Sequence, residues 1–420
     1  MRKLLMALLI WMLLPGPLRV ARAQDDELEA LRLAAEAEAE QPVETEEETA
    51  KTTFKSGSLG LQTLNPEISV TGDIIGMYQS GDDSRPDWDF TFRGLGIHCE
   101  AYLDPYSRFK AAFPVSEGGA TLGEAYFTRY GTLGGGSLTL GKFRQQFGVV
   151  NRWHKHGLDY VDFPLPLREV FGPGGLNQTG VSLDWNGPLG GASQEFTLQV
   201  TDGDNPRVFG ENAENRPSIL AHYKLNRDIS ASTYCEVGLT GLWGWNDEWV
   251  VDIPSPAPDT YDYDTRTARV YGIDFTVLWE PTYMMRYRNV EWRTELYCMD
   301  KDIRAPDGTT GRDSLRPWGV YTSLQAKVSR TVDVGGQLGY FRPDVKGYAS
   351  TADLSLSPLA VTEDDAHRWL GALYLTWWQS PFVKFRVQYE REDGSGMGDP
   401  VDRVMLQCVF AAGPHKHERY

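Results

Sequence analysis

From about Asn65 onward the chain is made of short segments in which apolar and polar residues alternate, separated by turn residues. In the segment 67–74, for example, Ile68, Val70 and Ile74 fall on one face, and the polar residues fall on the other. A period of two residues predicts strands with one apolar and one polar face. No helical period is found in this part of the chain, so we expect strands and turns throughout it.

The segments number about 16, and their length and number favour a particular β architecture. A bilayer outside and water inside require strands with apolar-out, polar-in alternation, as in a transmembrane β-barrel. A soluble β-sandwich would also alternate, but it would not need strands this many or this long. We therefore predict an all-β fold, a transmembrane antiparallel β-barrel of about 16 strands. The predicted strand centres lie near Val70, Ile97, Ala111, Tyr126, Leu140, Val181, Leu198, Ala221, Val237, Phe275, Thr294, Thr322, Val334, Leu373, Phe385 and Leu406.

Short and long connections alternate along the chain, which agrees with a bacterial barrel that has short periplasmic turns and long outer loops. The predicted short turns are Asp104-Pro105, Asn226-Arg227-Asp228, Ser329-Arg330 and Gln379-Ser380-Pro381. The predicted long loops are Gly148–Gly174, Asp202–Asn215, Asn246–Arg266, Lys301–Leu315 and Pro343–Ala366.

The N-terminal region differs in style from the barrel. Residues 1–23 resemble a secretory signal, with Arg2 and Lys3 before an apolar run and an Ala-Arg-Ala cleavage site that ends at Ala23. Residues 24–60 form an acidic segment, predicted to be periplasmic and either a short helix or disordered. Residues 61–412 are the predicted barrel, and residues 413–420 a C-terminal tail.

Composition and charge limit the kinds of partner that we expect for this protein. Aromatic residues make up 12% of the chain, which suits the aromatic girdles of a barrel. The net charge is -17, and more than half of it falls in the acidic segment. Because the barrel region is also negative, the sequence argues against a nucleic-acid partner.

Strand parity predicts which charged side chains face the lumen, and both signs are represented. The predicted pore-lining residues are Arg108, Lys110, Arg144, Lys224, Arg293, Lys384, Arg386, Arg403, Glu236 and Glu295. A lumen of mixed sign does not predict strong anion selectivity.

The connection from Asn151 to Pro173 is rich in aromatic residues, so we do not expect it to float in water. It either folds into the lumen and narrows the pore, or packs on the rim or a neighbouring subunit. For the first alternative, the candidate constriction residues are Arg152, His154, His156 and Asp159.

Other candidate chemistry is weak. Cys99, Cys235, Cys298 and Cys408 share parity with apolar neighbours, so we expect free thiols facing lipid. His154 and His156 in the loop, and His415 and His417 in the tail, form His-Lys-His motifs that can bind metal, but no spacing supplies further ligands. We therefore predict no metal site and no cofactor. No Ser–His pairing is indicated, so an outer-membrane enzyme is disfavoured.

The segment Leu140-Gly141-Lys142-Phe143-Arg144-Gln145-Gln146-Phe147-Gly148 resembles a strand end of the phosphate-selective porin O and P family. The opening 64–73 is similar to the first strand of porin-like relatives. The resemblance implies a Gram-negative outer-membrane porin, a 16-stranded barrel and a homotrimer. The mixed lumen departs from that family's ladder of basic residues, so phosphate specificity is not carried over.

Together these features predict a porin of the cell outer membrane that allows passive diffusion of small hydrophilic or ionic solutes. Its other expected partners are outer-membrane lipid and lipopolysaccharide. The alternative is a closed barrel with a role in adhesion, scaffolding or surface recognition.

Overall fold

The computed structural model describes residues 66–80, 87–132, 134–210, 215–246, 266–304, 312–344, 366–395 and 400–413. The predicted signal sequence, the acidic segment, most of the C-terminal tail and parts of four of the predicted long loops lie outside these residues. Chain contacts divide the protein into two units, Met1–Thr63 and Leu64–Tyr420, and every described residue belongs to the second.

The described part of the chain contains sixteen long strands and two short ones. They are β1 (Glu67–Ser80), β2 (Asp87–Asp104), β3 (Ser107–Ser116), β4 (Gly119–Ala120), β5 (Glu124–Thr132), β6 (Gly136–Arg144), β7 (Asn177–Leu189), β8 (Ala192–Thr201), β9 (Ser218–Ser230), β10 (Thr233–Asn246), β11 (Arg266–Trp279), β12 (Asn289–Arg304), β13 (Arg312–Leu315), β14 (Trp318–Ser329), β15 (Val332–Arg342), β16 (His367–Ser380), β17 (Val383–Ser395) and β18 (Val401–Ala412).

The strands form one closed antiparallel barrel. Neighbours in sequence pair with one another, and β1 pairs with both β2 and β18, so that Val70 stands opposite Ile97 on one side and Ala412 on the other. The short strands β4 and β13 extend hairpins at the barrel end, which leaves 16 strands in the wall. This confirms the predicted fold, and each of the sixteen predicted strand centres lies in a different long strand.

Alternation along each strand separates an apolar outside from a polar inside. In β10, Val237 and Leu239 are exposed on the outer surface, whereas Glu236 and Thr240 are buried on the inner one. The four cysteines follow the apolar parity and are free thiols, as predicted.

Two features of the connections differ from the sequence predictions. Asn226-Arg227-Asp228 was predicted as a turn, but these residues pair with β10 inside β9, and the chain reverses just after Ser230. Polar residues near the end of a strand resemble a turn in sequence, although Asn226 is held in the sheet by donating to Glu195 at 3.0 Å.

The second difference is the presence of two short helices, α1 (Leu165–Phe171) and α2 (Pro206–Phe209), where only loops were expected. Almost every residue of α1 is buried, including the charged Glu169, so the pattern of apolar and polar residues does not mark one buried face. In α2, Asn205 caps the N-terminus by accepting from the backbone N–H of Val208 at 3.1 Å.

None of the helices in the described residues is long and apolar enough to cross a membrane.

Candidate functional site

The segment 145–176, which joins β6 to β7, folds into the barrel and is named here the lumen loop. It contains the short 3₁₀ turns Val150–Arg152 and Lys155–Gly157, followed by α1. Most of its side chains are buried. Of the two alternatives left open by the sequence, the structure therefore shows the lumen position.

The lumen loop packs against one half of the inner wall through apolar contacts. Phe147 stacks on Tyr297 of β12, with ring centroids 5.4 Å apart, and Tyr160 meets Tyr374 of β16 at 6.3 Å. The wall residues of this buried cluster all come from β9 to β16. They are Leu220, Leu242, Ala268, Val270, Tyr297, Met299, Leu315, Tyr321, Phe341, Leu370, Ala372 and Tyr374.

A buried carboxylate anchors the start of the lumen loop. Glu295 Oε1 accepts hydrogen bonds from the backbone N–H groups of Val149 at 3.2 Å and Val150 at 3.1 Å. The hydroxyls of Tyr297 and Tyr321 also donate to Glu295, at 2.6 and 2.8 Å. A carboxylate with four donors is well satisfied although it is buried, so it fixes the position of the loop relative to β12.

Two cations of β17 hold the middle of the lumen loop. The Leu158 carbonyl accepts from Arg386 Nη2 at 2.8 Å and from Lys384 Nζ at 3.4 Å. Arg386 also donates to Gln407 at 2.9 Å and to Thr376 at 3.0 Å, which ties the loop to three strands of the wall.

The lumen loop also makes ion pairs and a cation–π contact with β12 and β16 of the wall. The guanidinium of Arg293 lies 4.3 Å from the centroid of the Trp153 ring, and its Nη1 is 3.9 Å from Asp159 Oδ2. In α1, Glu169 pairs with Arg368 of β16 at 2.5 Å. Burial raises the pKa of Glu169 above its ordinary value, although Arg368 and Arg207 oppose that effect.

A cavity of about 510 Å³ remains between the lumen loop and the opposite half of the wall. Its wall side is formed by β3 and β5 to β8, and its loop side includes Arg152 and His154. Arg152 is exposed in an otherwise buried stretch, and its Nη1 donates to Gln146 at 2.8 Å. This open space is thus off-centre and lies along one half of the barrel wall.

The lining of this cavity is polar and carries both charges. Arg108, Lys110, Arg144 and Arg152 supply the cations, and the anions are those of Glu124, Asp184 and Glu195. Neutral hydrogen-bonding side chains fill the spaces between them, including Thr128, Thr139, Ser182, Thr197 and Gln199. Such a surface can exchange hydrogen bonds with a hydrated solute.

The predicted pore-lining residues all lie on the barrel strands, but they fall into three groups. Arg108, Lys110 and Arg144 line the cavity, and Arg144 also donates to the carbonyls of Asn151 and Gly174 in the lumen loop. The residues that contact the lumen loop instead are Arg293, Lys384, Arg386 and Glu295.

The third group forms ion pairs along the wall. Lys224 Nζ lies 3.5 Å from Glu236, and Arg403 bridges Glu390 at 2.9 Å and Glu392 at 2.7 Å. Among the candidate constriction residues, Arg152 and His154 line the cavity, His156 lines a smaller one, and Asp159 is buried beside Arg293.

Several cavity residues were not predicted from the sequence. They include Glu124 and Asp184, and also His98, which lines the neighbouring smaller cavity. Strand parity was sufficient to find His98, because it alternates with Cys99 and shares the inward face with Glu100. Glu124 lies at the first position of β5, where the sequence shows no alternation on its N-terminal side.

Comparisons with known proteins bear on the fold. No family model matches the chain. An uncharacterized protein of Aquifex aeolicus (strain VF5) is 36% identical over 125 residues, which are 29% of this chain and 25% of that protein. The chain therefore matches only about a quarter of the length of that relative.

Several solved structures share the barrel at low sequence identity. The anion-selective porin from Comamonas acidovorans has a TM-score of 0.53 at 10% identity, covering 83% of this chain and 99% of its own. The outer membrane channel DcaP of Acinetobacter baumannii has a TM-score of 0.52 at 12% identity, covering 83% and 97%. OmpT of Vibrio cholerae, an outer membrane protein in trimer form, has 0.50 at 10%, covering 83% and 99%.

These neighbours show that the chain has a porin-like β-barrel fold. At 10–12% identity they show the fold alone, and the resemblance to the phosphate-selective porins stays a prediction.

Proposed function

We propose that this protein is an outer-membrane porin that allows small hydrophilic or ionic solutes to diffuse passively across the membrane. The observation that carries the proposal is the polar cavity of about 510 Å³ between the lumen loop and the wall of a closed barrel. A closed barrel with a polar interior and an apolar exterior is the arrangement that lets water and solutes pass through a bilayer.

The outer surface supports a lipid environment. Leu338 is 63% exposed, Leu373 58% and Leu406 54%, and all three belong to the outward faces of their strands. Apolar side chains exposed on strand after strand would be costly in water, whereas hydrocarbon accommodates them.

Location, assembly and partners follow from the same reasoning and remain part of the proposal. The signal-like residues 1–23 would direct export, and the barrel would insert into the outer membrane among its lipids and lipopolysaccharide. A homotrimer is supported by the family resemblance in sequence and by the trimer form of the OmpT neighbour. We assign no cofactor and no enzymatic activity.

The lumen loop also favours an alternative, because its apolar cluster fills the β9–β16 half of the barrel. If the remaining passage were sealed, the protein would be a closed barrel with a role in adhesion, scaffolding or surface recognition.

Single-channel recording in planar lipid bilayers separates the two functions. The refolded full-length protein should produce discrete conductance steps, and heat-denatured protein prepared in the same way should produce none. A correctly folded barrel without steps above background would contradict the porin proposal and favour the closed barrel.

A further inference from the structure

Three imidazole rings meet where the lumen loop touches β2. The ring centroid of His98, on β2, lies 5.0 Å from that of His154 and 5.6 Å from that of His156. The His154 and His156 rings are nearly parallel, with centroids 5.5 Å apart. These residues are named here the histidine cluster. His98 is distant in sequence from His154 and His156, and the fold of the loop brings it together with them.

Small wall residues make room for the histidine cluster. A Cβ atom added at Gly96 would lie 2.9 Å from His98 Nε2, so a larger residue there would displace the ring. Gly94, Gly96, Ala112 and Gly123 line a cavity of about 200 Å³ together with the three histidines. The cluster therefore lies in a space with room for rearrangement.

The histidine cluster borders the 510 Å³ cavity, which is the proposed path of the solute. His154 lines both the 200 Å³ cavity and the 510 Å³ cavity. Its Nε2 lies 3.0 Å from Glu124 Oε2, and Glu124 belongs to both linings as well. A change in charge at the cluster consequently changes the electrostatic energy of an ion in the 510 Å³ cavity.

The other charged groups around the cluster are mostly arranged in pairs. Asp73 of β1 pairs with Arg93 of β2, and Lys155 Nζ of the loop lies 2.8 Å from Asp162. Burial alone would raise the pKa of Asp162, but Lys155 and Arg168 hold it below the ordinary value. Asp162 therefore stays ionised in the range where imidazoles titrate.

The remaining charged neighbours are Arg144 of β6 and Glu124 of β5, which also accepts from the backbone N–H of Arg144 at 3.1 Å. Lys110 of β3 lines the larger cavity nearby. Three protonated imidazoles would thus add up to three positive charges to a region in which Glu124 is already in contact with His154.

Among the described residues, no group of three or more His, Cys, Asp or Glu side chains is arranged to hold a metal ion.

We propose that His98, His154 and His156 are a proton-responsive selectivity element that makes the pore favour small anions at acidic pH. The inference rests on the proposed porin function. Imidazoles change charge between about pH 5 and 8, and a unit charge a few ångströms from the path of an ion changes its local concentration severalfold. Protonation adds positive charge beside Arg144, Arg152 and Lys110. The local concentration of anions therefore rises, and that of cations falls.

Reversal potentials of the full-length protein in a KCl gradient test the proposal. Between pH 7.5 and pH 5.0, the permeability ratio of chloride to potassium should rise by about threefold or more. The variant carrying His98→Gln, His154→Gln and His156→Gln should conduct but lose most of that rise. His367→Gln, which removes an imidazole at the far end of β16, should retain it.

The outcomes distinguish failure of the selectivity element from failure of the porin function. If the native protein conducts but its permeability ratio is the same at both pH values, the selectivity element is disproved and the porin function stands. The same holds if the triple variant keeps the full pH response. A folded barrel without conductance overturns the porin function, and the selectivity role falls with it. Circular dichroism, and a difference in gel migration between heated and unheated samples, confirm that each variant is folded.

Discussion

Glu295 Oε1 lies 3.1 Å from the backbone nitrogen of Val150, a residue 145 positions earlier in the chain. This hydrogen bond joins the lumen loop to β12, in the β9–β16 half of the barrel against which the loop packs. Glu295 also binds Val149, Tyr297 and Tyr321, so one carboxylate satisfies four buried donors.

The first prediction concerns this anchor. Glu295→Ala leaves four buried donors without their acceptor, and each orphaned group costs about 1–3 kcal/mol. We expect a lower thermal midpoint and larger or noisier conductance steps, because the loop start is released. Glu295→Gln, which retains one acceptor oxygen, should show a smaller effect. Native-like melting and conductance in the Ala variant would show that the anchor is unimportant.

The second prediction concerns the Leu158 carbonyl. Replacing both Lys384 and Arg386 by Met removes its two donors and keeps much of the side-chain volume. We expect the middle of the loop to move and the single-channel conductance to increase. Arg391→Met, which breaks an ion pair with Asp402 near the outer end of β17, is the matched control and should leave conductance unchanged. Equal conductance in all three proteins would argue against this clamp.

The third prediction tests selectivity at the exposed cation of the loop. Arg152→Glu reverses one charge in the 510 Å³ cavity. At neutral pH, the permeability ratio of potassium to chloride should rise by about threefold. Arg129→Glu, which lies outside the cavity lining and beside Asp104 at the end of β2, is the charge-matched control. A change of similar size in both variants would mean that the effect comes from net charge and not from the cavity.

The fourth prediction uses a glycine against which the lumen loop packs. A Cβ atom at Gly272 of β11 would lie 2.6 Å from the ring of Phe147. We expect Gly272→Ala to destabilise the folded barrel by about 1–3 kcal/mol, the usual cost of overpacking. At Gly187 an added Cβ meets nothing within 4 Å, so Gly187→Ala should be close to neutral. Urea unfolding in detergent compares the two, and equal midpoints would contradict the packing argument.

The fifth prediction concerns the cysteines. Because all four are free thiols on different strands, unfolded protein that was never reduced should take up four maleimide labels. Intact mass spectrometry counts the labels. Two or none would reveal disulfides and would require a different register of the strands.

Strand parity predicted most of the fold because a barrel wall imposes one rule on every strand. The position of the lumen loop could not be settled in the same way, since an aromatic loop shows that it is buried but not against which surface. The surface against which the loop packs can nevertheless be recognised once the inward positions of the barrel strands are known. Tyr297, Tyr321 and Leu370 occupy inward positions where a water-filled lumen would favour polar residues.

The charged residues were harder to assign than the strands. Parity correctly pointed Arg386 and Glu295 inward, but it could not distinguish a side chain that faces solvent from one that binds the loop. That distinction depends on where the loop carbonyls and N–H groups lie, and a single sequence contains no direct record of their positions. The small helix α1 was missed for a related reason, because its Glu169 is buried in an ion pair with Arg368 and so breaks the pattern of an apolar buried face.

The long separation between Val150 and Glu295 also has a consequence for the way the barrel is built. The wall half that holds the lumen loop consists of strands that all follow the loop in the sequence. The loop therefore has no surface to settle on until β12 to β17 have joined the sheet. Docking of the loop thus depends on completion of the β9–β16 half of the sheet, and a chain truncated before β12 would lack the surface that holds the loop in the lumen.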